Sequence, residues 1–84
     1  MKTSERLRKQ IFEIIHNQMK ANDPPETKIT YDRLIKQGYS DFDTKQLICQ
    51  CIAVELFQAL KFKKPFDEKR YIKNLNNLPK EPFE

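Results

Sequence analysis

Apolar residues recur along this chain at spacings of three and four, in runs interrupted by proline, glycine and short polar residues. That spacing keeps side chains on one face of a helix, so each run predicts an amphipathic helix rather than a strand. Leu7, Ile11, Ile14, Ile15 and Met19 define the first, over 4–21, with Ser4 as N-cap. Asn22-Asp23-Pro24-Pro25-Glu26 stops it, because a residue that precedes proline leaves the α region and proline has no amide to donate. Tyr31, Leu34 and Ile35 give a short second helix over 30–37, capped by Thr30 and closed at Gly38, the single glycine of the chain.

From Asp41 to Phe62 nothing breaks the pattern. This third helix, 41–62, starts on Ser40 with Asp41 and Asp43 against its positive end, and Val54, Phe57 and Leu60 extend its apolar surface over more than half of the circumference. It is therefore expected to be central, with neighbours on two or three sides. Lys64-Pro65-Phe66 ends it, and Asp67 caps a fourth helix over 67–76 whose contacts are Tyr71, Ile72 and Leu75. Leu78-Pro79 leads into a tail with a further proline, Pro82. The expectation is an all-α, compact orthogonal bundle of four helices in one domain, 1–78, followed by an extended tail, 79–84.

One residue contradicts its surroundings. Leu47, Ile48, Cys51, Ile52, Leu56 and Ala59 lie on an arc of the third helix centred near Glu55, so this carboxylate is expected to be out of water. A buried charge costs several kcal/mol unless it is paired, hydrogen-bonded or protonated. Arg33, His16 and Tyr31 are the candidate partners. Pairing predicts a fold that weakens in acid, whereas an isolated acid predicts one that weakens as pH rises. His16, about 140° from Ile11 on the first helix, is expected to be half-buried and hydrogen-bonded.

Of the 84 residues, 16 are Lys or Arg and 12 are Asp or Glu, a net charge of +4. The basic residues concentrate at Arg6, Arg8 and Lys9 and again at Lys64, Lys69, Arg70 and Lys73, a candidate patch for nucleic acid. Interleaved acids and the helix end near Lys61 favour solvated faces instead. A helix-turn-helix reading of the second and third helices fails because a recognition helix exposes polar side chains, and the third helix is apolar around most of its surface. Cys49 and Cys51 are too close in a helix to pair with each other and are expected to be reduced thiols. With His16 they fall short of a zinc site.

One glycine cannot build a phosphate-wrapping loop, and one histidine without a suitably spaced nucleophile gives no catalytic constellation. No enzyme, cofactor or metal is expected. The charged first segment resembles no signal sequence, and no apolar run approaches the roughly 20 residues of a membrane span, which makes the cytoplasm the expected location.

Read together, His16, Pro24-Pro25, Tyr31-Asp32-Arg33-Leu34, Gly38, Cys51 with Glu55, and Asp67 with Tyr71 and Leu75 resemble a family of small, uncharacterised bacterial helical proteins classed as a domain of unknown function. The likeness spans about residues 11–78. It implies a helical bundle in a bacterial cytoplasm and no activity, ligand or catalytic residue; some relatives carry a longer N-terminal region. The functional expectation is a non-enzymatic module that binds another protein through Tyr39, Phe42, Phe62, Phe66 and Phe83, as a monomer or weak homodimer. Most of these aromatics are expected to be core. The alternatives are weak nucleic-acid binding through the basic clusters, and a small-ligand or catalytic site at Glu55 and His16.

Overall fold

A computed structural model describes residues 4–82. Its four helices are α1 (Glu5–Ala21), α2 (Pro25–Lys36), α3 (Asp41–Phe62) and α4 (Glu68–Asn77). Ser4, Ser40 and Asp67 cap α1, α3 and α4 through their side-chain oxygens, each accepting from an amide three residues on. The fold is the expected all-α bundle, and the capping residues are the expected ones with one exception.

That exception is α2, which starts at Pro25, five residues before Thr30. The tandem prolines were expected only to end α1. The second of them instead occupies the first helical position of α2, where an amide would have no partner and a fixed φ suits the helix. Thr30, expected as a cap, is buried in the interior of α2 together with Thr27. The turn out of α1 is correspondingly tight: Asn22 adopts the left-handed region at φ 54°, and the amides of Asn22 and Asp23 return to the carbonyls of Met19 and Gln18. At the other end of α2, Gly38 has φ 104°, and the amides of Gly38 and Tyr39 close on Ile35 and Leu34. Nothing obstructs a Cβ at Gly38, so conformation alone demands glycine there.

The core collects Ile11 and Ile15 from α1, Leu34 from α2, Ile48, Cys49, Cys51, Ile52 and Ala53 from α3, and Tyr71, Leu75 and Leu78 from α4 and its end. Burying one such aliphatic side chain contributes about 1.5–3 kcal/mol relative to leaving it in water. Helix α3 packs on all three others, as expected of a central helix, but α2 does the same. Among the described residues α1 and α4 do not meet backbone to backbone; α2 and α3 lie between them.

The far end of α3 departs from expectation. Val54 is buried, but Phe57 and Leu60, expected to pack against neighbours, are exposed. At 22 residues, or roughly 33 Å, α3 is longer than α1 or α4, so its last turns run past the helices that cover its middle.

Candidate functional site

Glu55 is buried, as the periodicity predicted, with its side chain fully out of solvent. Its partner is none of the three expected. Arg70, from the first turn of α4, donates through Nε to Oε2 at 2.5 Å and through Nη2 to Oε1 at 2.9 Å. The Asp67 amide donates to Oε1 at 2.9 Å. The carboxylate of α3 thus binds both the N-cap backbone and a side chain of α4, in the two-pronged geometry that suits guanidinium. Arg70 also leaves the candidate basic patch, since its charge is matched by Glu55. A positive residue in the first turn of a helix opposes the helix dipole, but Lys69 shares that turn, so the sequence alone does not single out Arg70 as the partner.

The other candidates are dispersed. Arg33 donates from Nη1 to the Leu78 carbonyl at 3.0 Å and from Nη2 to the Leu75 carbonyl at 2.9 Å, which satisfies acceptors at the end of α4. Tyr31 donates its hydroxyl to Asp41 Oδ1 at 2.6 Å, bridging α2 to the start of α3. This hydrogen bond raises the Tyr31 phenol above its ordinary pKa and, with a second bond from Lys45, lowers that of the Asp41 carboxyl. His16 is exposed, not half-buried, and lines a shallow surface groove with Phe12, Glu13, Asn17 and Lys45. Lys45 precedes Glu55 by ten residues of the same helix, about 15 Å, so His16 and Glu55 form no common site.

A second polar cluster had no counterpart in the sequence reading. Thr27 Oγ1 donates to Gln18 Oε1 at 2.8 Å, Tyr71 Oη donates to the same oxygen at 2.9 Å, and the two hydroxyls lie 2.9 Å apart. Two hydroxyl protons serve three oxygen contacts, so one contact lacks a proton at any instant. Tyr71 is fully buried, and burial pushes its phenol well above the ordinary range. Nothing in the spacing of Gln18, Thr27 and Tyr71 announces the cluster, because each comes from a different helix.

Cys49 and Cys51 are free and buried. Burial pushes their thiols up to about 11 and about 12 respectively, which leaves no thiolate for nucleophilic attack near neutral pH. Among the described residues no group of three His, Cys, Asp or Glu side chains is placed to hold a metal, and no helix is long and apolar enough to cross a membrane.

The aromatics do not form one surface. Phe42, half-exposed at the start of α3, meets Phe12 edge-on at 5.7 Å with the Arg8 guanidinium over its ring at 5.3 Å. Tyr39 is half-buried against the core. Phe62 lies at the opposite end of α3, about 30 Å from Phe42 along the helix, Phe66 follows α3 and meets the Tyr71 ring edge-on at 5.3 Å, and Phe83 falls outside the described residues. Phe42, Phe62 and Phe66 are exposed rather than core, which corrects the expectation for most of the set.

At that far end, Phe57 is 42% exposed, Leu60 81%, Phe62 51% and Phe66 42%. Lys61, Lys63 and Lys64 are interleaved with them and also exposed. The family model described as a domain of unknown function, DUF1841, matches residues 8–77, nearly the whole helical bundle. The chain belongs to the DUF1841 family. No curated protein and no solved structure matches it. In this DUF1841 domain, then, the buried charged pair and the three-helix polar cluster join helices to one another, and a group of exposed apolar and basic side chains lies at the end of α3.

Proposed function

We propose that this DUF1841 domain is a non-enzymatic interaction module that binds another protein through the projecting end of α3. The observation that carries the reading is the exposure of Phe57, Leu60, Phe62 and Phe66 within ten consecutive residues. Single exposed apolar residues are ordinary on a protein surface, whereas Phe57 and Leu60 share one side of the last turns of α3, and uncovered apolar residues that lie together mark surface that is covered in use. The absence of an enzymatic role belongs to the same reading. It is supported by two groups that could have carried chemistry: the thiols are buried and their pKa values raised, and Glu55 is held by Arg70. A cytoplasmic location fits Cys49 and Cys51 as separate buried thiols.

Photo-crosslinking tests the proposal. With p-benzoylphenylalanine in place of Leu60, irradiation of cells that express the protein is expected to yield a discrete adduct that protease destroys and nuclease does not. The same probe in place of exposed Gln10, on α1, is expected to yield none. No adduct at position 60, or one removed by nuclease, overturns the reading; the nuclease-sensitive outcome would favour nucleic acid.

A further inference from the structure

The end of α3 carries charge as well as apolar surface, and the two are not separable. From Phe57 to Phe66 there are three lysines and no acid. The ammonium groups of Lys61 and Lys64 lie 5.3 and 5.8 Å from the centre of the Phe62 ring, so the cations sit directly beside the exposed aromatic surface. The next acids are Asp67, which caps α4, and Glu68 beside it. On the helical wheel Phe57, Leu60 and Lys61 project within about 100° of each other, and Phe62 projects about 140° from Phe57, so Lys61 lies between the Phe57–Leu60 side and the Phe62 ring. A surface that covers the apolar groups must also receive the three ammonium groups, since leaving them facing a neutral or basic partner costs their hydration without return.

We propose that the partner is an acidic amphipathic segment of another protein: an apolar stripe that covers Phe57 and Leu60, flanked by Asp or Glu that meet Lys61, Lys63 and Lys64. The proposal rests on the interaction reading above and adds the chemistry of the occupant. A second copy of this chain fits poorly, because a two-fold contact through this surface sets lysines against lysines. Nucleic acid would satisfy the lysines and stack on Phe62, but it offers nothing to Leu60, the most exposed of the large apolar side chains among the described residues. A bilayer would suit an amphipathic helix lying along its plane, whereas all but the last turns of α3 are occupied by the bundle.

The test uses the full chain, labelled with nitrogen-15, and four probes: a helical peptide with leucine on one face and glutamate on the other, its lysine-for-glutamate twin, phosphatidylglycerol vesicles, and a thymidine oligonucleotide. The glutamate peptide is expected to shift the amides of residues 57–66 and to bind about tenfold or more tightly than the lysine twin. The double variant Lys61→Glu with Lys64→Glu should weaken the glutamate peptide by about tenfold, and Leu60→Ser should do likewise with an unchanged spectrum elsewhere. Equal binding of the two peptides, shifts confined to other helices, or a response only to vesicles or oligonucleotide overturns the proposal. If those results come together with a protein adduct at position 60, the acidic partner is wrong and the interaction module stands; without an adduct, both fall.

Discussion

Removing the Arg70 guanidinium should be among the most damaging single changes available outside the aliphatic core. Glu55 has a fully buried side chain, and of the three hydrogen bonds it accepts, two come from Arg70. Arg70→Met keeps most of the stem's volume and removes both, leaving a buried carboxylate with the Asp67 amide. Breaking a buried pair on one side costs about 3–5 kcal/mol, because the remaining charge keeps its desolvation penalty. A domain of this length has a total stability of roughly 4–13 kcal/mol, so the variant is expected to lose from about a quarter of it to all of it. Urea melts followed by circular dichroism at 222 nm measure the difference. Thermal melts should show a fall of at least about 12 °C, taking about 4 °C per kcal/mol for a small domain. Arg70 is one-fifth exposed, so in Glu55→Gln its charge keeps contact with water, and that variant should cost less. Pairing Glu55→Leu with Arg70→Met should recover part of the loss, since no charge is then buried. A midpoint for Arg70→Met within 1 kcal/mol of the parent, or single costs that simply add in the double variant, would refute the argument.

Tyr71→Phe should cost only about 1 kcal/mol in urea melts, because Thr27 still donates to Gln18 and no buried donor is stranded. Native protein should resist iodoacetamide at pH 8 at both Cys49 and Cys51, and urea should release both; labelling of the folded protein would contradict their burial. The Asp41 carboxyl has a lowered pKa in the fold, so its contribution is present above the ordinary carboxylate value near 3.9 and disappears as pH falls through the lowered one. Asp41→Asn should therefore flatten the decline in stability below about pH 4, and an unchanged acid limb would show that the Tyr31 and Lys45 contacts contribute nothing.

Most of the helical frame was legible in the sequence. Ser4, Ser40, Asp67 and Gly38 are local signals, each acting within one turn, and each ends or begins a helix where expected. Pro24-Pro25 misled because proline both ends a helix and begins one, and only the packing of Thr27 and Thr30 shows that α2 is already under way. Burial of Glu55 followed from periodicity, which fixes the direction of a side chain on its own helix. Its partner did not, because that depends on how α4 docks, and Arg70 is brought to Glu55 by the turn through Pro65. The exposure of Phe57 and Leu60 was hidden for a related reason: a wheel shows which face is apolar but not how far along the helix its neighbours reach.

The shortest helix is attached to every other. Tyr71 reaches Gln18 of α1 and Thr27 of α2, the carbonyls of Leu75 and Leu78 receive Arg33 of α2, and Arg70 with the Asp67 amide holds Glu55 of α3. A helix of ten residues is ordinarily marginal on its own, opening and closing independently of the rest. Here such an opening would strand a buried carboxylate and unfasten three helices together, so the amides in the middle of α4 should exchange with solvent only as fast as the whole domain unfolds. On this reasoning α4 acts as the lock of the bundle, and proteolysis is expected to follow unfolding of the whole domain rather than release of α4 alone.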